Sequence, residues 1–427
     1  MTSVKKRGGA MIPVYIEGGE VTTTQSGSAI SEVEFGDSTS LDAFGRIRSS
    51  GPSNRADVEF IYDKQPTLID EVTAGGGTVT HVTNTRDLTL AIVDAVDATE
   101  AAMYSYDVPY TPGNSQLIDI TGNLDFAEIG GGTAAVFLRS SVSGSVVETV
   151  VNQASWNKST ADTVDWTKSH IFSMDFQSLK VGRIRFNLIM SGIYVPVHEM
   201  NNDNVNTAGF WQLPSLPFYW RIYNDSGNTI SEIGYGDESN GVGFRYTITA
   251  NASATMKAIC ATVKSEGGKP LFEIPGFVRS IDSGITDIAV STTLIPLISI
   301  RPAATFNSLT NRALYIPTAF FFQTDNAIRY VILLRPTLTG PSWTAVDATN
   351  SGMEYDVTAS AISGGVQIAS GYLSSGNNKE ASGTGALGRS PLKLGRTGTS
   401  DILTFAAIRT STNNADVFSG FQWREIR

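Results

Sequence analysis

Apolar side chains return at every second position along most of this 427-residue chain, a period that fits strands and not amphipathic helices. On an extended backbone Ile184, Phe186, Leu188 and Met190 point one way, and Arg183, Arg185 and Asn187 the other. Leu88, Leu90 and Ile92 alternate with Thr89, Ala91 and Val93. Leu117, Ile118, Ile120 and Leu124 stand in a Thr/Asp/Gly background, and Phe321, Ile328, Tyr330, Ile332 and Leu334 bracket a turn at 323–326. Turn chemistry punctuates the runs: Ser143-Gly144, Asp225-Ser226-Gly227, Ser239-Asn240-Gly241, Thr339-Gly340-Pro341 and Ser375-Gly376-Asn377-Asn378. Short strands divided by such turns predict sandwiches or jelly rolls. The main helical candidate, Asp87 to Met103, contains Thr and Val and alternates at its start, so two strands around Asp94–Thr99 are expected instead.

The expected fold is all-β in three parts. Residues 1–60 read as an extended arm: Thr22–Ser31 and Ser38–Asn54 are small and polar, with Phe35, Leu41, Phe44 and Ile47 as isolated apolar anchors. Residues 61–266 read as a jelly-roll or concanavalin-like sandwich and 267–427 as a second sandwich, parted by the polar Gly/Pro stretch Ser265–Pro270. No repeat of fixed period is present, which disfavours a solenoid.

Composition removes several classes of function. Charged residues are 17% of the chain, below the roughly 25% of an average globular protein. The net charge of −10 argues against nucleic-acid or membrane-surface binding, both of which need a basic face. The lone Cys260 excludes an intrachain disulfide and a multi-thiolate metal site, and in alternation with Ala258 and Thr262 it reads as a small buried hydrophobe. Residues 10–20 are broken by Pro13 and Glu17 and lack the apolar core of a signal peptide. The most apolar window, 313–322, is about half a membrane helix and contains Pro317. A soluble, cytoplasmically made chain is expected.

Few residues suggest chemistry. Gly383, Gly385 and Gly388 match a dinucleotide-type glycine spacing, but polar loop sequence precedes them and Pro391 follows, so a flexible loop is expected. Asp237-Glu238-Ser239-Asn240 and Asn201–Asn204 carry hard oxygen ligands without EF-hand spacing and read as solvated turns. Asp162 with Asp165, and Glu232 with Asp237, are carboxylate pairs close in sequence, the minimum for glycoside hydrolysis. His81, His170 and His198 read as structural histidines, and no catalytic, cofactor or metal residue is expected. Aromatic residues cluster at Phe210-Trp211 and Phe218-Tyr219-Trp220, and two readings stay open. Trp211, Tyr219 and Trp220 stack on glycans, or they lie in a core or interface, where such rings are also enriched. In the arm, Phe44, Arg46 and Arg48 share one face of an extended strand. They suit docking, the ring into a partner pocket and the guanidiniums onto acidic neighbours.

Several stretches, in order, resemble a family of tailed-bacteriophage virion structural proteins. They are Leu41-Asp42-Ala43-Phe44-Gly45-Arg46-Ile47-Arg48-Ser49, Ile61-Tyr62-Asp63-Lys64-Gln65-Pro66, Tyr110–Ile118, Gln153-Ala154-Ser155-Trp156-Asn157, Asp165–Ser169, Val181–Arg185, Ile259–Gly268 and Phe421–Glu425. The resemblance covers nearly the whole chain from Asp42; Ser169-His170 and Gly234–Phe244 depart from the pattern. It implies a non-enzymatic virion component made in the host cytoplasm. Capsid decoration, cement or a head fibre is the expected role, with other virion proteins as partners and a closed homo-oligomer, first of all a trimer. A tail or baseplate adhesin for host-surface glycans is the alternative, and a polysaccharide-degrading enzyme the third reading.

Overall fold

The computed structural model describes residues 52–427 except 95–97, 125–130, 177–179, 206, 214, 267–275, 289–292, 374–378, 385–386 and 388–389. It also describes two short N-terminal pairings, Thr2–Lys5 with Met11–Val14 and Ile16–Glu17 with Glu20–Val21. The described residues are strands and turns, with one short 3-10 turn at Gln153–Ser155. The fold is therefore all-β, and every strand pairing among the described residues is antiparallel.

Two large sheets make the first sandwich. An eight-stranded sheet runs Ile193–Met200, Ile184–Met190, His170–Phe176, Ser115–Gly122, Ala254–Glu266, Asp87–Ile92, Thr78–Val82. Its eighth strand, Ser53–Glu59, pairs with the second half of Ala254–Glu266, while Asp87–Ile92 pairs with the first half. A seven-stranded sheet runs Val147–Asn152, Thr133–Ser140, Gly241–Ile248, Asn228–Gly236, Phe218–Asp225, Glu100–Ser105, Ile69–Ala74. The alternation read in the sequence supplies the core between them. Ile118, Phe172, Phe186 and Leu188 from the first sheet meet Val136, Trp220, Ile233 and Phe244 from the second, all fully buried. Asp87–Met103 is two strands, Asp87–Ile92 and Glu100–Ser105, as its alternation predicts.

Residues 53–60, expected as the end of an arm, belong to the first sandwich. Ser53–Glu59 is a sheet strand, and Ala56, Val58 and Phe60 are buried in the core. The signal was present, because Ala56, Val58 and Phe60 alternate with Asp57 and Glu59. Phe44, Arg46 and Arg48 lie outside the described residues.

The second sandwich pairs a four-stranded sheet (Phe277–Ile288, Ala415–Ile426, Leu314–Thr324, Lys379–Thr384) with a six-stranded one. The latter runs Thr344–Ala345, Met353–Asp356, Ile295–Pro302, Leu403–Arg409, Ile328–Leu334, Val366–Leu373. Phe320, Phe322, Tyr330 and Phe405 form a ring cluster in its core, with Phe322 and Tyr330 centroids 4.7 Å apart. The strands on either side of the 323–326 turn belong to different sheets, so that turn crosses the sandwich rather than closing a hairpin.

A bulge joins the two cores. Pairing of Leu314–Thr324 with Ala415–Ile426 slips by one residue between Pro317 and Ala319. A one-residue slip exchanges the faces of a strand, and the bulge also accommodates a proline that has no amide to donate. Before it, Leu314 and Ile316 face the first core; after it, Phe320 and Phe322 face the second. One strand thereby contributes to both.

The Asp225-Ser226-Gly227-Asn228 hairpin realises a sequence signal directly. Asp225 pairs with Asn228, leaving two loop residues, both with positive φ: Ser226 at 50° and Gly227 at 77°. Two-residue loops of this hand match the twist of the strands. A Cβ on Gly227 would meet nothing within 4 Å, so only backbone strain opposes it. Gly227→Ala is expected to cost about 1 kcal/mol, measured by urea unfolding, with the slope of the transition unchanged.

Candidate functional site

The outer face of the seven-stranded sheet carries a buried charge network. Cross-strand pairing aligns Ala102, Arg221, Glu232, Arg245 and Ala135 in one row. Next to it run Tyr104, Tyr219, Gly234, Gly243 and Phe137. The glycines are spatial requirements: a Cβ on Gly234 would press on the Tyr219 ring at 3.0 Å, and one on Gly243 on the Phe137 ring at 3.0 Å.

Glu232 is fully buried at the centre. Its Oε1 accepts from Arg139 Nη2 at 2.9 Å, Arg245 Nε at 2.9 Å and Tyr223 OH at 3.1 Å; its Oε2 accepts from Tyr219 OH at 3.0 Å. Glu148 accepts from the same two arginines, at 3.0 Å from Arg139 Nε and 2.7 Å from Arg245 Nη1. Both guanidiniums lie over the Phe137 ring, 4.9 and 4.7 Å from its centroid. Burial alone would push the Glu232 carboxyl up, but Arg139, Arg245 and Arg221 outweigh it and hold the group well below the usual carboxylate range. Burial, and then Glu232, pushes the Tyr219 and Tyr223 hydroxyls up. An acid so held stays ionised.

The neighbouring end of this face meets the second sandwich. Arg396, with an 8% exposed side chain, donates to Asp107 Oδ1 at 2.7 Å and to Asp237 Oδ2 at 2.8 Å. Lys393 reaches Asp70 Oδ1 at 2.8 Å, and the Arg396 amide donates to Asp70 Oδ2 at 3.0 Å. The guanidinium of Arg396 lies 5.5 Å from the Tyr104 ring centroid, and the Tyr104 hydroxyl donates to Glu238 at 2.6 Å. Arg335 adds a bond to the Pro66 carbonyl. The two aspartates on Arg396 shift oppositely. For Asp107 burial outweighs Arg396 and the carboxyl rises. Asp237 also receives the Ser239 and Asn240 amides, and its carboxyl falls despite burial.

The sequence candidates fall as follows. Trp211 is 1% exposed, and Tyr219 and Trp220 are 0% exposed. The open choice for these rings closes on the core, and glycan stacking on them is corrected. Trp220 alternates inward with Phe218 and Ile222, its indole nitrogen donating to the Thr121 carbonyl at 3.0 Å; Tyr219 faces out but lies under the seam. Asp162 and Asp165 are engaged by the threonines beside them, and Asp237 caps its own turn and binds Arg396. His81 and His170 bond to backbone carbonyls, and His198 Nδ1 accepts from the Asn157 amide at 3.2 Å. Gly383 lies within a strand, Lys379–Thr384, while Gly385 and Gly388 lie outside the described residues.

Cys260 is a correction. A bulge near Ile259 shifts the register against Ser115–Gly122, so Ala258 faces the core and Cys260 faces away from it. It lines a cavity of about 770 Å³ on the outer face of the eight-stranded sheet, with Asp57, Glu59, Tyr62, Asp119, Thr121 and Thr262 among its neighbours. Sequence reading missed this cavity and the arginine network alike. Their members are scattered along the chain, Glu232 lying 93 positions from Arg139.

These features define a double-sandwich, all-β protein with a charged seam. No family model matches the chain, and no curated protein matches it in sequence. Solved structures are similar over about half of it. An endo-1,3-beta-glucanase from Streptomyces sioyaensis is 9% identical with a TM-score of 0.30, covering 52% of this chain and 98% of its own. A Bacillus licheniformis beta-glucanase is 7% identical at 0.19 (50% and 99%). Arcelin-5, a lectin-like defense protein from Phaseolus vulgaris, is 14% identical at 0.20 (49% and 97%). At these values the likeness carries no argument about activity.

Proposed function

We propose that this chain is a non-enzymatic structural component of a tailed-bacteriophage virion, decorating or cementing the capsid or building a head fibre. The ordered motifs from Leu41 to Glu425 supply the family resemblance. The observation that carries the role is an exposed run of valines at a sheet edge. Among the described residues, Val147–Asn152 pairs on one side only, with Thr133–Ser140. It leaves Val147 55% and Val150 43% exposed, beside Val146 at 51%. Open edges of this kind are templates for pairing with another chain, and isolated proteins usually blunt them with charge. A second copy or a neighbouring virion subunit is the natural cover, in keeping with a closed homo-oligomer. The seam supports the same reading, since ion pairs and a shared strand tie both sandwiches into one load-resisting body.

Cryo-electron microscopy of intact virions tests this. Density for the chain on the capsid lattice, with the 147–152 edge against a neighbour, is the expected result. Density confined to the tail tip would replace the cement role by the adhesin reading, and absence from virions would refute both.

A further inference from the structure

At the junction of the two sandwiches one arginine has no counter-ion. Arg312 stands just before the strand Leu314–Thr324, and among the described residues no oxygen bonds its guanidinium. The charges around it are already engaged. Arg396 holds Asp107 and Asp237 at 2.7 and 2.8 Å, and Glu425 holds Arg427. Burial and the Arg396 charge keep the Arg312 guanidinium below its ordinary value, and Asp107 and Asp237 offset them only in part. Nη1 is enclosed by protein. Nε and Nη2 are not, and they form the edge of a guanidinium that pairs with both oxygens of one carboxylate.

Arg312 lines a cavity of about 170 Å³. The first sandwich contributes the loops at 107–109 and 213–215, and the second contributes the Thr305–Thr310 hairpin. Leu213, Phe306, Leu309, Leu314 and Ile426 make much of the wall apolar. Leu309 is 71% and Leu213 37% exposed, so part of that wall reaches solvent. An apolar cavity of about 150 Å³ admits a benzene ring, whereas sites for larger ligands start at about 300 Å³.

We propose that this cavity binds a carboxylate carried on a short apolar body. The Nε and Nη2 edge of Arg312 takes the two oxygens, and the leucine and phenylalanine side chains take the body. Arg427, its guanidinium 4.8 Å from the Phe306 ring centroid, adds positive charge at the same wall. Phosphate and sulfate fit poorly, because one guanidinium edge leaves their other oxygens against apolar side chains. The carboxylate belongs to a free acid or to a glutamate of a neighbouring chain, and the experiment separates the two. The site does not depend on the virion role, and the two readings fail separately.

The full chain is titrated with benzoate and with isovalerate by ligand-observed NMR and calorimetry, with benzamide and inorganic phosphate as controls. At least one acid is expected to bind saturably in the millimolar range, and both controls about tenfold more weakly or not at all. Displacement of the acid by a capped Leu-Glu peptide, and not by its Leu-Gln counterpart, assigns the carboxylate to a partner's side chain; no displacement assigns it to a free acid. Arg312→Gln is expected to weaken binding about tenfold and Leu309→Ala about threefold. The unfolding midpoint of Arg312→Gln should hold or rise, since the substitution breaks no bond within the protein. No saturable binding by either acid overturns the proposal. So does benzamide or phosphate binding as tight as the acid's, or acid binding that Arg312→Gln retains.

Discussion

Replacing Glu232 by alanine is expected to lower the unfolding free energy by about 3–5 kcal/mol, because it strands two buried guanidiniums that share one remaining, partly exposed carboxylate. The pair itself does not outperform a well-packed apolar substitute, since desolvation offsets most of the Coulomb gain. Removing one partner alone is what costs. The pH dependence follows from the direction of the shift. The Glu232 carboxyl is held well below its ordinary value in the folded chain. Its contribution is therefore fully present above the unfolded value, about 4.3, and is lost as pH falls below that toward the folded value. Urea unfolding of both proteins across pH should show a constant gap from pH 7 down to about 5 and a narrowing one below about 4. A gap that stays flat into acid, or a loss under about 1 kcal/mol, would remove the network from the account of stability.

Arg396→Ala should be equally damaging, again about 3–5 kcal/mol, but its effect falls on the seam. The substitution leaves Asp107 and Asp237 facing each other with Glu238 nearby. Calorimetry of the unaltered protein is expected to give one transition, because the seam and the strand Leu314–Thr324 couple the two cores. In the variant the transition should split. Adding Asp107→Asn should restore part of the loss, since burial already biases that carboxyl toward its neutral form. Superimposable thermograms for the unaltered and Arg396→Ala proteins would mean that the Arg396 ion pairs are not what couples the two sandwiches.

These two clusters and the cavity beside Cys260 lie on different sheets. The charge network and seam are closed: their acids are matched by arginine, lysine and tyrosine donors at hydrogen-bond distance.

Much of the frame was legible from the sequence. The period of two in Ile184-to-Met190 set which side chains enter the core, and Asp225-Ser226-Gly227 marked a turn, because both rest on local backbone geometry. Side-chain direction alternates along any strand, and only some residues tolerate positive φ. Three things escaped. Two bulges, near Ile259 and at Thr318, reset the alternation, turning Cys260 outward and sending Leu314 and Phe320 into different cores. The second face of the sheets was buried too, so Arg185 and Asn187, which alternation alone would leave in solvent, are 1% exposed. Trp220, open to a surface reading from its aromatic neighbours, sits inside. The reason is common to all three. Periodicity says which residues share a face, but whether that face meets water, a core or a second sandwich depends on strands hundreds of residues apart, and only the assembled sheets decide it.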